Sequence, residues 1–247
     1  MRLAHAVVHG LHGLAIVVFA FPSLDSAGRR ERIAWWSRKM LAVLGIALEH
    51  DGAPMPARSL FVVNHISWLD IMAIHAVVPQ ARFVSKADVK AWPLIARLVD
   101  SAGTIYLERE RKRDALRVVH AVAEALTRGQ SVAIFPEGTT STGHGLLPFH
   151  ANLMQAAIAT ATPVQPVALR FSEAANAVSE AVEFVGATSL LRSLWQTSCG
   201  EGVRVRLAFL APRPSAHADR RELAALLRAD IADALGIDPD AAPATLA

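Results

Sequence analysis

At 247 residues, 53% hydrophobic and only 19% charged, the chain is long enough for one large domain with a sizeable core and is apolar enough to suggest contact with lipid. Its single cysteine, Cys199, excludes an internal disulfide, a cysteine-rich zinc site and a CxxC redox motif. The net charge of +3 favours anionic partners, acidic phospholipid or nucleic acid, without choosing between them.

Leu3 to Phe21 carries no Asp, Glu, Lys or Arg. As a helix it would extend roughly 28 Å, close to a bilayer's hydrocarbon thickness. A single span is open, but His5, His9 and His12 fall on one helical face, and this polar stripe predicts a wetted face and a helix lying in the membrane interface or only partly inserted. Phe19-Ala20-Phe21-Pro22 makes a poor signal-peptide cleavage site. Beyond a polar break at Pro22 to Gly28 come Arg29, Arg30, Arg32, Arg38 and Lys39, interleaved with Trp35 and Trp36 and leading into an apolar helix from Met40 to Leu48. Cations beside indole rings suit an anionic bilayer surface, although an ordinary surface helix would look the same. Nucleic acid is disfavoured because no motif for it follows. Residues 1–50 thus read as a two-helix membrane-associating element.

From there short apolar runs alternate with helical patterns. Strands are predicted at Leu60 to Val63, Arg82 to Ser85, Thr104 to Leu107, Val132 to Phe135, Val164 to Leu169 and Val203 to Leu210. Such alternation predicts an α/β domain over 51–237, its mixed, largely parallel sheet flanked by helices. Leu116, Val119, Val122, Ala123 and Leu126 form the apolar face of one helix, with Gly129 placed to end it. Trp92-Pro93 suits a helix start, residues 172–202 show no clear period, and a helix over Asp219 to Leu235 precedes a flexible tail at 238–247.

The stretch Val62-Val63-Asn64-His65-Ile66-Ser67-Trp68-Leu69-Asp70 places an imidazole and a carboxylate five residues apart across a strand-to-helix turn. On one ideal helix the two would point about 140° apart, so they meet only if His65 precedes the helix and Asp70 lies inside it. That arrangement fits a general base held by a carboxylate; it also fits a loop histidine beside an aspartate that complements the helix N-terminus. Ser67 and Asp70 together resemble a capping box. A second segment, Phe135-Pro136-Glu137-Gly138-Thr139-Thr140-Ser141, ends a strand with a glycine among hydroxyls, which suits either a phosphate or oxyanion wall or a plain tight turn. Arg109 and Lys86 each follow a strand and could meet a phosphate or simply be solvated. No G-x-S-x-G elbow, P-loop or G-x-G-x-x-G fingerprint is present, which argues against covalent serine and nucleotide chemistry.

Asn64-His65 with Asp70, Gly103 through Arg109, Phe135 through Thr139 and Pro163-Val164-Gln165-Pro166 stand in the order and rough spacing of the four motifs of glycerolipid acyltransferases. Over roughly residues 60–170 the chain resembles that family, particularly its bacterial 1-acylglycerol-3-phosphate acyltransferases. The resemblance implies a fatty acyl group moving from acyl-CoA or acyl-carrier protein to the free hydroxyl of a lysophospholipid, with 1-acylglycerol-3-phosphate the leading acceptor and phosphatidate the product. It implies His65 as general base and Asp70 as its orienting carboxylate. Glu137, Gly138 and Thr139 would form the acceptor wall, and Arg109 and Lys86 would hold the phosphate. No metal, redox cofactor or nucleic acid enters, and the expected setting is the cytoplasmic face of the inner membrane, with the N-terminal helix interfacial or a single span. One departure is Thr140, where the family usually has a basic residue. Relatives with Thr or Ser there include acyltransferases of lyso-ornithine lipid, so that acceptor is the alternative. A non-catalytic lipid-surface protein is the rival from another class.

Overall fold

A computed structural model describes residues 1–56, 58–86, 93–107 and 112–238. Helix α1 (Arg2–Ala15) continues through a π turn at Ile16–Ala20 and a 3-10 turn at Phe21–Ser23. The 22 residues Arg2–Ser23 are long and apolar enough to cross a membrane by length and composition, yet α1 lies packed along α2 (Ser26–Leu44). The Asp25 carboxylate caps α2 by accepting from the Gly28 N–H. At its other end Gly45 turns left-handed at φ 83°, and the Gly45 and Ile46 N–H groups close back on Ala42 and Leu41. The helix therefore stops short of Leu48, and the next residues form a strand, β1 (Ala47–Asp51), that the hydrophobic pattern does not reveal. It is an edge strand with Glu49, His50 and Asp51 exposed, and Arg204 and Arg206 of β7 (Arg204–Phe209) pair with its two carboxylates. Edges of this kind are kept charged, which removes the apolar signature.

The remaining strands are β2 (Leu60–Val63), β3 (Arg82–Lys86), β4 (Ile105–Leu107), β5 (Val132–Ile134) and β6 (Val164–Ser172). The described strands make one seven-stranded sheet in the order β1-β7-β6-β2-β5-β3-β4, parallel throughout except at the antiparallel β6–β7 pair. Being central, β2 is fully buried, and its side chains alternate between two cores. Phe61 and Val63 join Leu41 and Leu44 of α2 and Leu69 and Ile74 of α3 (Leu69–Val77) on one face. Leu60 and Val62 join α5 (Lys112–Thr127), α6 (Met154–Ala159) and α8 (Arg220–Leu235) on the other. The buried face of α5 is Val118, Val122, Ala125 and Leu126; Leu116, expected on it, is 63% exposed. The segment without a clear period holds a 3-10 turn at Glu180–Val182 and then α7 (Leu190–Cys199), while α4 (Pro93–Ser101) begins at the expected proline.

The layout fixes where a site can form. Strands β2 and β5 are parallel neighbours, but α3 packs on one face of the sheet and α6 on the other. A crevice opens between such diverging connections at the strands' carboxyl ends.

Candidate active site

Two loops fill that crevice. Leaving β2, Asn64 donates from Nδ2 to the Leu169 carbonyl and accepts the Leu169 N–H at Oδ1, both at 2.8 Å. The chain then turns, and α3 starts at Leu69 with Trp68 in the cap position. Asp70, in the first turn and wholly buried, brings Oδ2 to 2.7 Å from His65 Nδ1. The same oxygen accepts the N–H groups of Ile66 at 2.7 Å and Ser67 at 3.0 Å. His65 thus precedes the helix and Asp70 lies inside it, as the spacing requires. Only half of the expected capping box forms. Asp70 reaches back to the Ser67 N–H, but the buried Ser67 hydroxyl has no partner among the described residues.

The β5 loop grips His65 by its main chain. Glu137, 3% exposed, accepts the His65 N–H at 2.7 Å and the Leu147 N–H at 2.9 Å, one on each carboxylate oxygen. Burial pushes its carboxyl up to about 7; the two N–H groups oppose the rise, the nearby Asp70 charge adds to it and Arg228 counters it. Ser141 donates both its N–H, at 2.8 Å, and its hydroxyl, at 3.1 Å, to the His65 carbonyl. From α8, Arg228 donates to the carbonyls of Leu146 and Leu147, which anchors the loop that supplies Glu137 with its second N–H. The His65 ring lies flat on Phe135, with centroids 3.9 Å apart and planes at 12°; Phe83 stacks behind at 5.7 Å and meets buried His75 edge-on. One imidazole nitrogen is thereby committed to a buried carboxylate and the ring plane is fixed. The other nitrogen, Nε2, is left for proton transfer at a side chain 18% exposed.

Of the expected acceptor wall, Glu137 lies beneath the histidine with its oxygens on backbone N–H groups, whereas Gly138 and Thr139 are exposed. Gly138 is left-handed at φ 70°, and its N–H closes a turn on the Phe135 carbonyl at 3.1 Å. A Cβ there would also stand 2.9 Å from Cδ2 of the exposed His150 ring, which would have to swing aside. The Thr140 hydroxyl donates to the Phe184 carbonyl, and the Phe184 N–H reaches the Ile66 carbonyl at 3.3 Å, so the segment before α7 is laced across both loops. Lys86 ends β3 at the same edge of the sheet as His65. Arg109 lies outside the described residues. Among the described residues no cluster of three or more metal-ligating side chains occurs.

A family model described as Acyltransferase matches residues 49–170, which contain this constellation except Arg228 and Phe184. The chain is 38% identical over 228 residues to a lyso-ornithine lipid O-acyltransferase of Pseudomonas aeruginosa, an alignment that covers 90% of this chain and 86% of that one. The chain belongs to the acyltransferase family. The acyltransferase is also 36% identical over 196 residues to a 1-acyl-sn-glycerol-3-phosphate acyltransferase of Neisseria meningitidis, covering 78% of this chain and 76% of the relative. Its fold matches the crystal structure of a 1-acyl-sn-glycerophosphate acyltransferase from Thermotoga maritima with a TM-score of 0.66 at 20% identity, over 96% of this chain and 97% of the other. Sequence reasoning finds the acyltransferase's two chemical motifs because residue identity and spacing carry them. Phe135 and Asn64 lie inside those motifs, yet nothing in their spelling reveals the stack or the bond to Leu169. Arg228 has no sequence signal, because its partners are main-chain carbonyls of a distant loop.

Proposed function

We propose that the acyltransferase moves a fatty acyl group from acyl-CoA or acyl-carrier protein to the free hydroxyl of a lysophospholipid, with 1-acylglycerol-3-phosphate as first acceptor and phosphatidate as product. The observation that carries this reading is His65 Nδ1 held 2.7 Å from the buried Asp70 Oδ2. With the proton on Nδ1 facing the carboxylate, Nε2 accepts the acceptor's hydroxyl proton as the oxygen attacks the thioester carbonyl. The acyl carbon–oxygen bond forms, the carbon–sulfur bond breaks, and the imidazolium returns its proton to the departing thiolate. Asp70 stabilises the imidazolium in between. No acyl-enzyme and no resident cofactor are called for, since the thioester is already activated and both substrates can be held together. The exposed Val8, Leu11 and Phe19 would keep the enzyme at a membrane surface, on the cytoplasmic face where acyl thioesters are supplied.

Lyso-ornithine lipid is a second acceptor, favoured by Thr140. Where the family usually carries a basic residue this hydroxyl is turned onto the Phe184 carbonyl, and the Pseudomonas relative is named for that acceptor. Purified protein is assayed with both lysolipids, each with acyl-CoA and with acyl-carrier protein. Turnover of lysophosphatidate is expected. Turnover of lyso-ornithine lipid alone would overturn the first acceptor, and vesicle binding without transfer to any lysolipid would overturn the enzymatic reading.

A further inference from the structure

Helix α7 packs Leu194 against the core, yet its fully buried and its most exposed residues are reversed in polarity. Its buried residues are Ser193 and Thr197, whose hydroxyls accept from Trp68 Nε1 at 3.1 Å and donate to the Ala181 carbonyl at 3.2 Å. One turn apart on the opposite face, Leu191 and Trp195 are 69% and 59% exposed, with Arg192 and Cys199 also outward. A surface helix of a protein surrounded by water places these classes the other way round.

Helix α1 shows the same inversion. It buries Ala6, His9 and Gly13 against α2, and the His9 ring and carbonyl exchange hydrogen bonds with the Trp36 carbonyl and indole, each at 3.0 Å. A Cβ at Gly13 would stand 2.4 Å from the Trp36 indole nitrogen, so the small residue is what admits the ring. The expected wetted histidine stripe therefore holds only at His5 and His12, and the aliphatic residues Val8 and Leu11 face outward, 64% and 55% exposed. The two inverted helices adjoin, and the Arg2 guanidinium at the start of α1 donates to the Gly200 carbonyl that follows α7. Exposed cations occur on the same elements and their neighbour: Arg192 on α7, and Arg29, Arg30 and Arg32 at the start of α2, the helix on which α1 packs.

We propose that Leu191, Arg192 and Trp195 of α7 continue the α1 face into a single surface that binds an anionic phospholipid bilayer. Continuity with α1, the outward Val8, Leu11, Leu191 and Trp195, and the exposed arginines of α7 and α2 all point to that occupant. The consequence reaches the chemistry, because Trp68, which holds Ser193, lies in the turn between His65 and Asp70. Contact of α7 with lipid thus reports on the loop that carries the base. The inference rests on the membrane reading of the N-terminal region.

The lone cysteine supplies the probe. Cys199 is exposed at the end of α7 and accepts an environment-sensitive NBD label. On titration with phosphatidylglycerol–phosphatidylethanolamine vesicles, the label on otherwise unaltered protein should brighten and shift to the blue. Leu191→Ser with Trp195→Ser should weaken vesicle binding by roughly tenfold or more, as should Val8→Ser with Leu11→Ser. Both variants should keep the wild-type melting temperature, since the replaced side chains are exposed. Failure of the unaltered protein to bind vesicles would overturn the membrane reading and this inference together. Binding weakened by the α1 pair but untouched by the α7 pair, with the label remaining in a polar environment, would overturn this inference alone. So would a blue shift that appears on raising protein concentration without lipid, which would mark α7 as a contact between copies.

Discussion

The His65–Asp70 turn and helix α7 are joined by the hydrogen bond from the Trp68 indole to Ser193, yet they are organised by opposite rules. In the turn, polar groups point inward and the bonds converge on a few atoms: Asp70 Oδ2 accepts three donors and the His65 main chain is held at both N–H and carbonyl, while Asp70 Oδ1 and the Ser67 hydroxyl are buried without a partner among the described residues. In α7, polar groups also point inward, but of its large apolar side chains Leu194 packs on the core while Leu191 and Trp195 face out. The first pattern fixes geometry at a price in buried polarity. The second leaves apolar area uncovered, which water does not stabilise. A reaction site can be built from internal contacts alone, whereas a surface of the second kind is complete only with a partner.

Substitutions separate the two regimes. The largest effect should come from His65→Ala, expected to lower kcat by roughly a thousandfold while vesicle binding is unchanged. Comparable turnover in that variant would remove the base from the scheme. Glu137 gives a pH signature. Its folded carboxyl titrates near 7 and its unfolded one near the ordinary carboxylate value of 4.5, so the folded state holds the extra proton between those values. Stability from this group is therefore full below about pH 4.5 and falls as pH rises through about 7, by up to about 3 kcal/mol. Glu137→Gln should flatten that part of the unfolding curve measured in urea; an unchanged slope would assign it to another group. Phe135→Leu removes the flat contact with the His65 ring and should reduce kcat by roughly tenfold with little change in KM, at a stability cost of about 1–2 kcal/mol. A KM effect instead would place Phe135 on the substrate side. Smallest of all, Thr140→Val leaves the Phe184 carbonyl without its donor and should cost about 1 kcal/mol, with the ratio of turnover on the two acceptors unaltered. A shift in that ratio would show that the hydroxyl touches the acceptor.

The same contrast explains what was legible in the sequence. The six apolar strands and the His65–Asp70 turn announce themselves because burial on both faces and helix geometry leave few alternatives for Leu60 to Asp70. β1 escapes notice because a charged edge strand has no reason to be apolar. α7 escapes because its outward Leu191 and Trp195 mimic half of an ordinary helix, and only the structure tells which half is covered. The face of α5 is displaced for a related reason. Leu116 and Val118 are both apolar, and only packing against the sheet selects Val118. The motif around Glu137 speaks only for an acceptor wall, whereas its hold on the His65 main chain depends also on the Leu147 N–H, supplied by a loop that Arg228 anchors from α8.

Asn64 has a wider consequence. Its side-chain amide exchanges a donor and an acceptor with Leu169 as a peptide group would, so it serves as the last rung of the β2–β6 ladder after the main chain has already departed. The backbone departs from the ladder at this point, and the next peptide N–H, that of His65, is accepted by Glu137. A side chain standing in for main chain is what lets a central strand end abruptly, and it puts His65 at the lip of the sheet instead of inside it.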